Sequence, residues 1–178
     1  MPNIEIKEEI EIPEGIQIDI TKFLIKITGP NGTLERRFTH PILKIQKKDN
    51  KLFIHAKKVT KREKRMAGTF ISHLKNMIRG TKDNYEYNLK ICSGHFPMST
   101  SVEGNHLLIK NFLGEKVPRK AKILPHVKVE IKGNDIIVIS NNLESAGQTA
   151  ANIEAATRIT NRDRRRFQDG IYITKKPE

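Results

Sequence analysis

The sequence predicts an α+β fold made of two tandem copies of one unit, each a small antiparallel β-sheet packed against one α-helix. Three observations carry this prediction. Two hairpin patterns recur 84 residues apart, each is followed by a helix-start signal, and an earlier apolar strand repeats at the same offset. Because turns, strands and helix signals recur in the same order, an internal duplication explains the chain better than chance similarity between two β-rich segments.

The first predicted element is a strand over residues 4–12. Isoleucines alternate there with acidic residues, which is the period of a strand with one buried and one solvated face. The isoleucines are Ile4, Ile6, Ile10 and Ile12, and the acids between them are Glu5, Glu9 and Glu11. We interpret the acids as a solvent face rather than a metal site. The strand that opens the second copy is expected at 85–91.

The central hairpins give the clearest match between the copies. The run K-I-Q-K-K-D-N-K-L-F-I-H at 44–55 aligns with K-V-E-I-K-G-N-D-I-I-V-I at 128–139. Both runs are largely alternating and are interrupted by a polar turn, which is typical of a hairpin. The strand pattern at 23–28 aligns in the same way with 107–112. Each copy is therefore expected to contain an earlier strand and a later hairpin.

A helix is predicted after each hairpin. The first opens with Thr60 and Glu63, and the second opens with Ser145 and Gln148. Both pairs fit a capping box, in which two side chains satisfy free backbone N–H groups reciprocally. Gly80 suits the end of the first helix.

Helical periodicity predicts which faces are buried. The first helix should bury Met66, Phe70, Leu74 and Met77. It should expose Lys61, Arg65, Ser72, Lys75 and Arg79. The second should bury the small residues Ala146 and Ala150 together with Ile153, which would allow close approach to its sheet. We place the domains at 1–82 and 83–178, joined by a short polar linker at 81–84.

The net charge indicates a polyanionic partner. The 178 residues include 33 Lys+Arg against 20 Asp+Glu, a formal charge of +13, and such a field speeds association with RNA or DNA. The excess is +9 over residues 1–82 and +4 over 83–178. An anionic membrane is the rival partner, but no apolar run is long enough to span a bilayer. The acidic N-terminal segment also lacks the apolar core of a signal peptide, so we expect a cytoplasmic protein.

Known catalytic and metal motifs are missing from the sequence. It has no Walker loop, no G-x-G-x-x-G and no G-x-S-x-G, and its six histidines form no zinc pattern. The single cysteine, Cys92, excludes an internal disulfide, and we interpret it as a small buried residue. We expect no cofactor, metal or small-molecule substrate. Catalytic groups can meet in space, so an RNA-modifying enzyme with a basic docking face stays an alternative, as does a free nucleic-acid-binding regulator.

The strongest functional signal lies at 158–176. Five arginines fall within nine residues there, namely Arg158, Arg162, Arg164, Arg165 and Arg166. The guanidinium fork suits phosphate oxygens and stacks on bases, so we interpret the cluster as an ordered nucleic-acid contact. The alternative is a solvated basic face without a partner. Phe167 is expected in the core, with stacking on a base as the alternative. Asp169 is expected to shape a turn, and Gly170 is expected to supply a positive φ before a short strand at 171–173.

Three stretches resemble a known family. They are I-T-N-R at 159–162 followed by R-x-F-x-D-G-I-Y-I-x-x-K at 165–176, I-K-N-F-L-G-E-K at 109–116, and S-G-H-F-P-M at 93–98. Together with the duplication, they resemble the sixth large-subunit ribosomal protein in its archaeal and eukaryotic form. One departure is Ala155, where that family often has glutamine.

The resemblance implies a non-catalytic protein that binds large-subunit ribosomal RNA near the sarcin–ricin region and the stalk base. It also implies neighbouring ribosomal proteins and nearby translation factors as partners, with most RNA contacts in the second copy. The residues expected at RNA are the five arginines above, Lys175, Lys176, Ser93, His95 and Pro97. A further basic loop adds Lys116, Arg119 and Lys120. Two questions stay open, namely whether His95 is only a local hydrogen-bond partner and whether the exposed face of the first helix meets RNA.

Overall fold

The computed structural model describes residues 4–48, 50–163 and 165–177. The chain divides into two compact units, residues 1–84 (unit 1) and 85–178 (unit 2). This boundary lies two residues after the predicted one, which falls before Asp83. Each unit has its own hydrophobic core.

Unit 1 contains two three-stranded antiparallel sheets and one helix. Its elements are β1 (Ile4–Glu11), β2 (Gln17–Thr21), β3 (Leu24–Gly29), β4 (Gly32–Arg37), β5 (Lys44–Lys48), β6 (Lys51–Val59) and α1 (Lys61–Lys82). The sheet orders are β1–β6–β5 and β2–β3–β4. Ile10 and Ile12 are buried as expected from the alternation, whereas Glu9 and Glu11 are exposed.

The start of α1 confirms the predicted capping box. The Thr60 N–H donates to Glu63 Oε2 over 2.8 Å, and Thr60 Oγ1 accepts from the Arg62 N–H over 3.2 Å. The helix buries Phe70, Leu74 and Met77, as predicted, with Met66 only partly buried. The exposed face carries all five residues assigned to it.

The prediction that Gly80 ends α1 is wrong. The helix continues to Lys82, and Gly80 and Thr81 are buried within it. The β3–β4 turn holds this last turn in place, since the Asn31 N–H donates to the Thr81 carbonyl over 3.0 Å and Asn31 Nδ2 donates to the Lys82 carbonyl over 2.6 Å. Burial and these bonds override the weak helix propensity of glycine. Two of the four residues of the predicted polar linker, Thr81 and Lys82, therefore belong to α1.

Unit 2 repeats this plan and extends it. Its elements are β7 (Tyr85–Cys92), β8 (Ser99–Glu103), β9 (His106–Lys110), β10 (Arg119–Lys122), β11 (Lys128–Lys132), β12 (Asp135–Ser140), α2 (Leu143–Ala156) and β13 (Gly170–Lys175). The antiparallel sheets run β10–β9–β8 and β11–β12–β7–β13. The β5–β6 and β11–β12 hairpins confirm the aligned sequence runs, and β3 and β9 confirm the earlier strand pair. The duplicated α+β fold is therefore confirmed.

The predicted start of α2 is wrong by about one turn. Asn142 is the N-cap, and its Oδ1 accepts from the Glu144 N–H over 3.0 Å and from the Ser145 N–H over 3.4 Å. Ser145 consequently lies inside the first turn, and Asn142 supplies the acceptor predicted for Ser145. Ala146, Ala150 and Ile153 are fully buried, as predicted. Among the described residues, no helix is both long and apolar enough to cross a membrane.

Candidate nucleic-acid interface

The segment that carries the arginines, residues 157–169, is anchored at both ends; we call it the arginine loop. At its start, Thr157 is the C-cap of α2 and is 4% exposed. At its end, β13 pairs with β7. The other edge of β13 is held by α2, because the Ile171 N–H donates to Thr157 Oγ1 over 2.9 Å and the Ile173 N–H donates to Glu154 Oε1 over 3.1 Å. The loop therefore projects from a fixed frame.

Asp169 joins the arginine loop to the segment at 93–98. Its side chain is 2% exposed, and Oδ1 accepts from the Gly94 N–H and, over 3.0 Å, from the His95 N–H. Oδ2 lies 2.5 Å from His95 Nδ1. Burial raises the pKa of Asp169, but the two amides and the imidazole lower it more, so the net pKa is below its usual value. The carboxylate is thus kept ionised, and it anchors the neighbouring segment rather than only shaping its own turn.

Phe167 lies in an aromatic and cationic stack, and the prediction that it packs in the core is wrong. Its ring stacks on His95 with centroids 5.0 Å apart and an interplanar angle of 24°. The guanidinium carbon of Arg162 lies 4.9 Å from the centroid of the same ring. The strand alternation that buries Ile171 begins only at Gly170, and Phe167 precedes it in the loop. Arg162 and His95 are thus both packed on the ring of Phe167.

Asp163 organises the turn in which the arginines are densest. Its carbonyl accepts from the N–H groups of Arg166 and Phe167, over 3.1 and 3.0 Å. Its carboxylate accepts from Arg165 Nη2 over 3.0 Å and from the Arg165 N–H over 2.9 Å. The side-chain bond from Arg165 lowers the pKa of Asp163 most, followed by the amide bond. The turn therefore presents Arg165 and Arg166 at adjacent, exposed positions.

Arg119 is engaged within the protein. Its Nε and Nη2 donate to the two carboxylate oxygens of Glu115, over 2.8 and 2.6 Å. Its Nη1 donates to the carbonyls of Ala156 and Arg158, over 2.9 and 3.1 Å, and the guanidinium lies 4.2 Å from the Phe112 ring centroid. A cation that satisfies the last carbonyls of a helix stabilises that helix end. Arg119 thus fixes the place where the arginine loop begins.

The other predicted site residues lie at the surface of unit 2. Arg158, Arg162, Lys116 and Lys120 are exposed, as are Lys175 and Lys176 around the end of β13. Arg164 lies outside the described residues. Ser93, His95 and Pro97 are exposed in the 93–98 segment. Asn111 connects this segment to the N-F-L-G-E-K run, since Asn111 Nδ2 donates to the Pro97 carbonyl over 3.0 Å.

An open cleft of about 750 Å³ lies beside the arginine loop. Its lining includes Lys90, Cys92, Asn134, Arg166, Gln168 and Tyr172, together with the 93–95 segment and Asp169. The prediction that Cys92 is buried is wrong, because it is exposed. Buried Leu89 and Ile91 alternate with exposed Lys90 and Cys92 along β7, and this period of two puts the thiol on the outer face.

Lys90, Tyr172 and Asn134 at this site were not predicted from the sequence. The period of two that buries Leu89 and Ile91 could have placed Lys90 on the outer face. The position of Tyr172 at the cleft depends on the β7–β13 register, in which it lies opposite Lys90. Local sequence patterns do not predict the pairing of strands so far apart in the chain.

Gly170 does not have the predicted positive φ. It opens β13, and a Cβ atom there would lie 3.0 Å from Cζ of Tyr172. The tyrosine ring therefore lies close against the backbone at Gly170, and a side chain there would be crowded by it, although the chain does not turn sharply. Among the residues that the structure describes, no group of three or more His, Cys, Asp or Glu side chains could hold a metal ion.

These features define a class of protein. A rigidly anchored loop presents several guanidinium groups beside a half-exposed aromatic stack, on a small α+β unit of a strongly basic chain. That is the arrangement of a protein that binds a polyanion through its surface.

Comparison with known proteins identifies the family. The family model described as Ribosomal protein L6 matches residues 12–84 and 96–170, once in each unit. The large ribosomal subunit protein uL6 of Methanosarcina mazei is 48% identical over 97% of this chain and 98% of its own length. The proteins of the same name from Sulfurisphaera tokodaii and Aeropyrum pernix are 46% and 42% identical, over 99% and 96% of this chain and 95% and 94% of their own lengths. The chain belongs to the ribosomal protein L6 family, whose members are ribosomal proteins and not enzymes.

Proposed function

We propose that this chain is a structural component of the large ribosomal subunit that binds large-subunit ribosomal RNA through unit 2. The names of its relatives support this assignment to the large subunit, since they are large ribosomal subunit proteins. The observation that carries the RNA contact is the arginine loop, which is held by α2, by β13 and by Asp169. Ordering a loop before binding removes an entropic cost that a disordered basic tail would meet on association.

The proposed phosphate contacts are Arg158, Arg162, Arg164, Arg165 and Arg166, with Lys175 and Lys176 at the end of β13. Each neutralised phosphate releases counterions, so the affinity should fall steeply with salt. Structured RNA is recognised mainly through its shape and backbone, which suits a loop rich in guanidinium forks.

The flanking segments form the proposed rim of this contact. Ser93, His95 and Pro97 lie in the segment that Asp169 ties to the arginine loop, and Lys116 and Lys120 are exposed on the neighbouring basic loop. For Arg119 we propose a positioning role, because its bonds to Ala156 and Arg158 hold the loop's start.

Family membership supports the proposed place in the particle. We assign the contact to the sarcin–ricin region and the stalk base, where the protein would support the translation-factor binding centre. Neighbouring ribosomal proteins and translation factors are then its partners, and the cytoplasmic ribosome is its location.

The experiment that tests the proposal reverses the charge of the arginine loop. Arg164, Arg165 and Arg166 are changed together to Glu, and the matched control changes Lys61, Lys64 and Arg65, which lie exposed on α1. Sucrose-gradient sedimentation measures incorporation into large subunits, and filter binding measures affinity for large-subunit ribosomal RNA at several salt concentrations. The loop variant should stay near the top of the gradient. The negative slope of log affinity against log salt concentration should decrease in magnitude by about two to three, because up to three phosphate contacts are lost. Normal incorporation of a folded loop variant would refute the proposal.

A further inference from the structure

The cleft beside the arginine loop has the size and walls of a ligand site. Its volume of about 750 Å³ lies within the range of pockets that take small molecules. Its floor is the outer face of β7 and β13. Lys90 and Cys92 point there, away from the core, and Tyr172 lies opposite Lys90 in the strand register.

The ring of Tyr172 is fixed in position before any ligand arrives. Its hydroxyl donates to the Gln168 carbonyl over 3.1 Å. One side of the ring lies against the backbone at Gly170, where a Cβ atom would come within 3.0 Å of the ring. The residue nevertheless stays 38% exposed. A rigid, partly exposed aromatic ring is a platform on which a nucleobase can stack.

The charges around the cleft favour an anion. Lys90 on β7 and Arg166 on the arginine loop both line the cleft and are both exposed, so the lining includes two cations. The acid in the lining, Asp169, already accepts three hydrogen bonds from Gly94 and His95. Its carboxylate oxygens are thereby engaged by donors within the protein and repel an anion in the cleft less. Asn134 adds an amide group that can donate to and accept from a base edge.

We propose that this cleft holds one unpaired nucleotide of the bound RNA. Its base would stack on Tyr172, and its phosphate would lie between Lys90 and Arg166. Unpaired nucleotides in loops and bulges are the parts of RNA that proteins take into pockets and stack on aromatic side chains. The inference rests on the proposed function, because the arginine loop must first bring RNA to the cleft.

Cys92 provides the reporter for this inference. It is the only cysteine in the chain, it is exposed, and it lines the cleft. Its rate of reaction with a small methanethiosulfonate reagent therefore reports whether the cleft is open. The rate is measured on the full chain alone, with saturating large-subunit ribosomal RNA, and with a fully paired RNA duplex. The ribosomal RNA should slow the reaction about tenfold, whereas the duplex, which has no unpaired base to insert, should leave it nearly unchanged.

Substitutions at Tyr172 separate stacking from simple coverage of the thiol. Tyr172→Leu removes the aromatic platform, and Tyr172→Phe keeps it, so the phenylalanine variant is the matched control. The leucine variant should bind large-subunit ribosomal RNA about tenfold more weakly and should lose most of the protection of Cys92, while the phenylalanine variant stays near wild type. Unchanged thermal midpoints verify that both variants fold.

The outcomes distinguish this inference from the proposed function. If the RNA binds at full affinity but Cys92 reacts as fast as in the free protein, the cleft is empty and the inference fails while the proposed function stands. Equal protection by the duplex and by ribosomal RNA would also overturn it, because coverage alone would then explain the effect. If the chain binds no ribosomal RNA, both fail together.

Discussion

Unit 1 and unit 2 share six strands and one helix in the same order, but within the described residues only unit 2 adds a seventh strand. In unit 1, α1 is followed only by Asp83 and Asn84 before the first strand of unit 2 begins, and β1 is an edge strand of its sheet. In unit 2, α2 leads into the arginine loop, and β13 then covers the matching edge of β7. The two units therefore share one scaffold. The arginine loop and β13, which only unit 2 has among the described residues, form the surface by which unit 2 differs from unit 1.

The two helices show the same division of roles. The longer helix, α1, has one buried face and an opposite face of exposed cations. The shorter helix, α2, buries small side chains, and side chains at its C-terminal end accept hydrogen bonds from β13. A basic helix face is a weak indication of a binding site. Guanidinium groups on a loop that is fixed at both ends are a stronger one, because the backbone that carries them is positioned in advance.

The largest expected effect comes from cavities in the two cores. Ile171→Ala removes a fully buried side chain of β13, and Ile54→Ala removes one of β6. Each should lower the stability of its own unit by about 2–5 kcal/mol. Only Ile171→Ala should also weaken binding of large-subunit ribosomal RNA, because it loosens the strand that ends the arginine loop. Calorimetry and filter binding check this, and equal RNA affinity in both variants would contradict the assignment of binding to unit 2.

A smaller effect is expected from Asp169→Ala. The change leaves the Gly94 and His95 amides without their acceptor, which should lower stability by about 1–3 kcal/mol. It should also free the 93–98 segment, which can be measured as faster hydrogen exchange at those amides. Asp163→Ala is the matched control, since it removes an exposed carboxylate from the same loop and leaves that segment anchored.

The pH dependence of stability at Asp169 has a defined sign. Its pKa in the folded protein lies below its ordinary value, which is about 3.9 in an unfolded chain. The stabilisation is therefore fully present above the unfolded pKa and is lost as the pH falls through the folded pKa. Between about pH 6 and pH 3, the thermal midpoint of the wild type should fall further than that of Asp169→Asn. Parallel curves would show that the carboxylate charge is not what holds the segment.

Arg119→Lys should have a more modest effect. Lysine keeps the charge but cannot reproduce the fork that bonds Glu115 and the end of α2 together. We expect a loss of about 1 kcal/mol of stability and a fall of a few-fold in RNA affinity without a change in its salt slope. A weaker salt slope would instead indicate that Arg119 itself contacts phosphate.

The smallest expected effect is that of Lys61→Glu on α1. The residue is exposed near the start of the helix, where an acidic side chain is tolerated by the helix dipole. Incorporation into subunits should be close to wild type in the gradient assay, whereas Arg166→Glu, an equal change of charge, should reduce it. Equal defects would place RNA on unit 1 as well and would remove the functional contrast between the units.

Local pattern predicted the repeated elements well, because hairpins, strand alternation and the Thr60 capping box depend on neighbouring residues. It failed where contacts between residues far apart in the sequence determine the local structure. Gly80 stays helical because the β3–β4 turn bonds the last turn of α1. Phe167 stacks on His95 instead of entering the core, and the crowding at Gly170 comes from the Tyr172 ring. The arginines could be found from the sequence, but the Asp169 anchor and the cleft depend on the pairing of β13 with β7.

The pairing of the first strand of unit 2 with its last also bears on how the protein is made. During synthesis, β7 leaves the ribosome some 80 residues ahead of β13, so its edge stays open while the rest of the unit emerges. Pairing of segments so far apart in sequence is slow and leaves a strand edge exposed in the meantime. The arginine loop cannot be fixed until β13 docks, and a growing chain therefore cannot present the finished surface to nucleic acid before its own folding is complete.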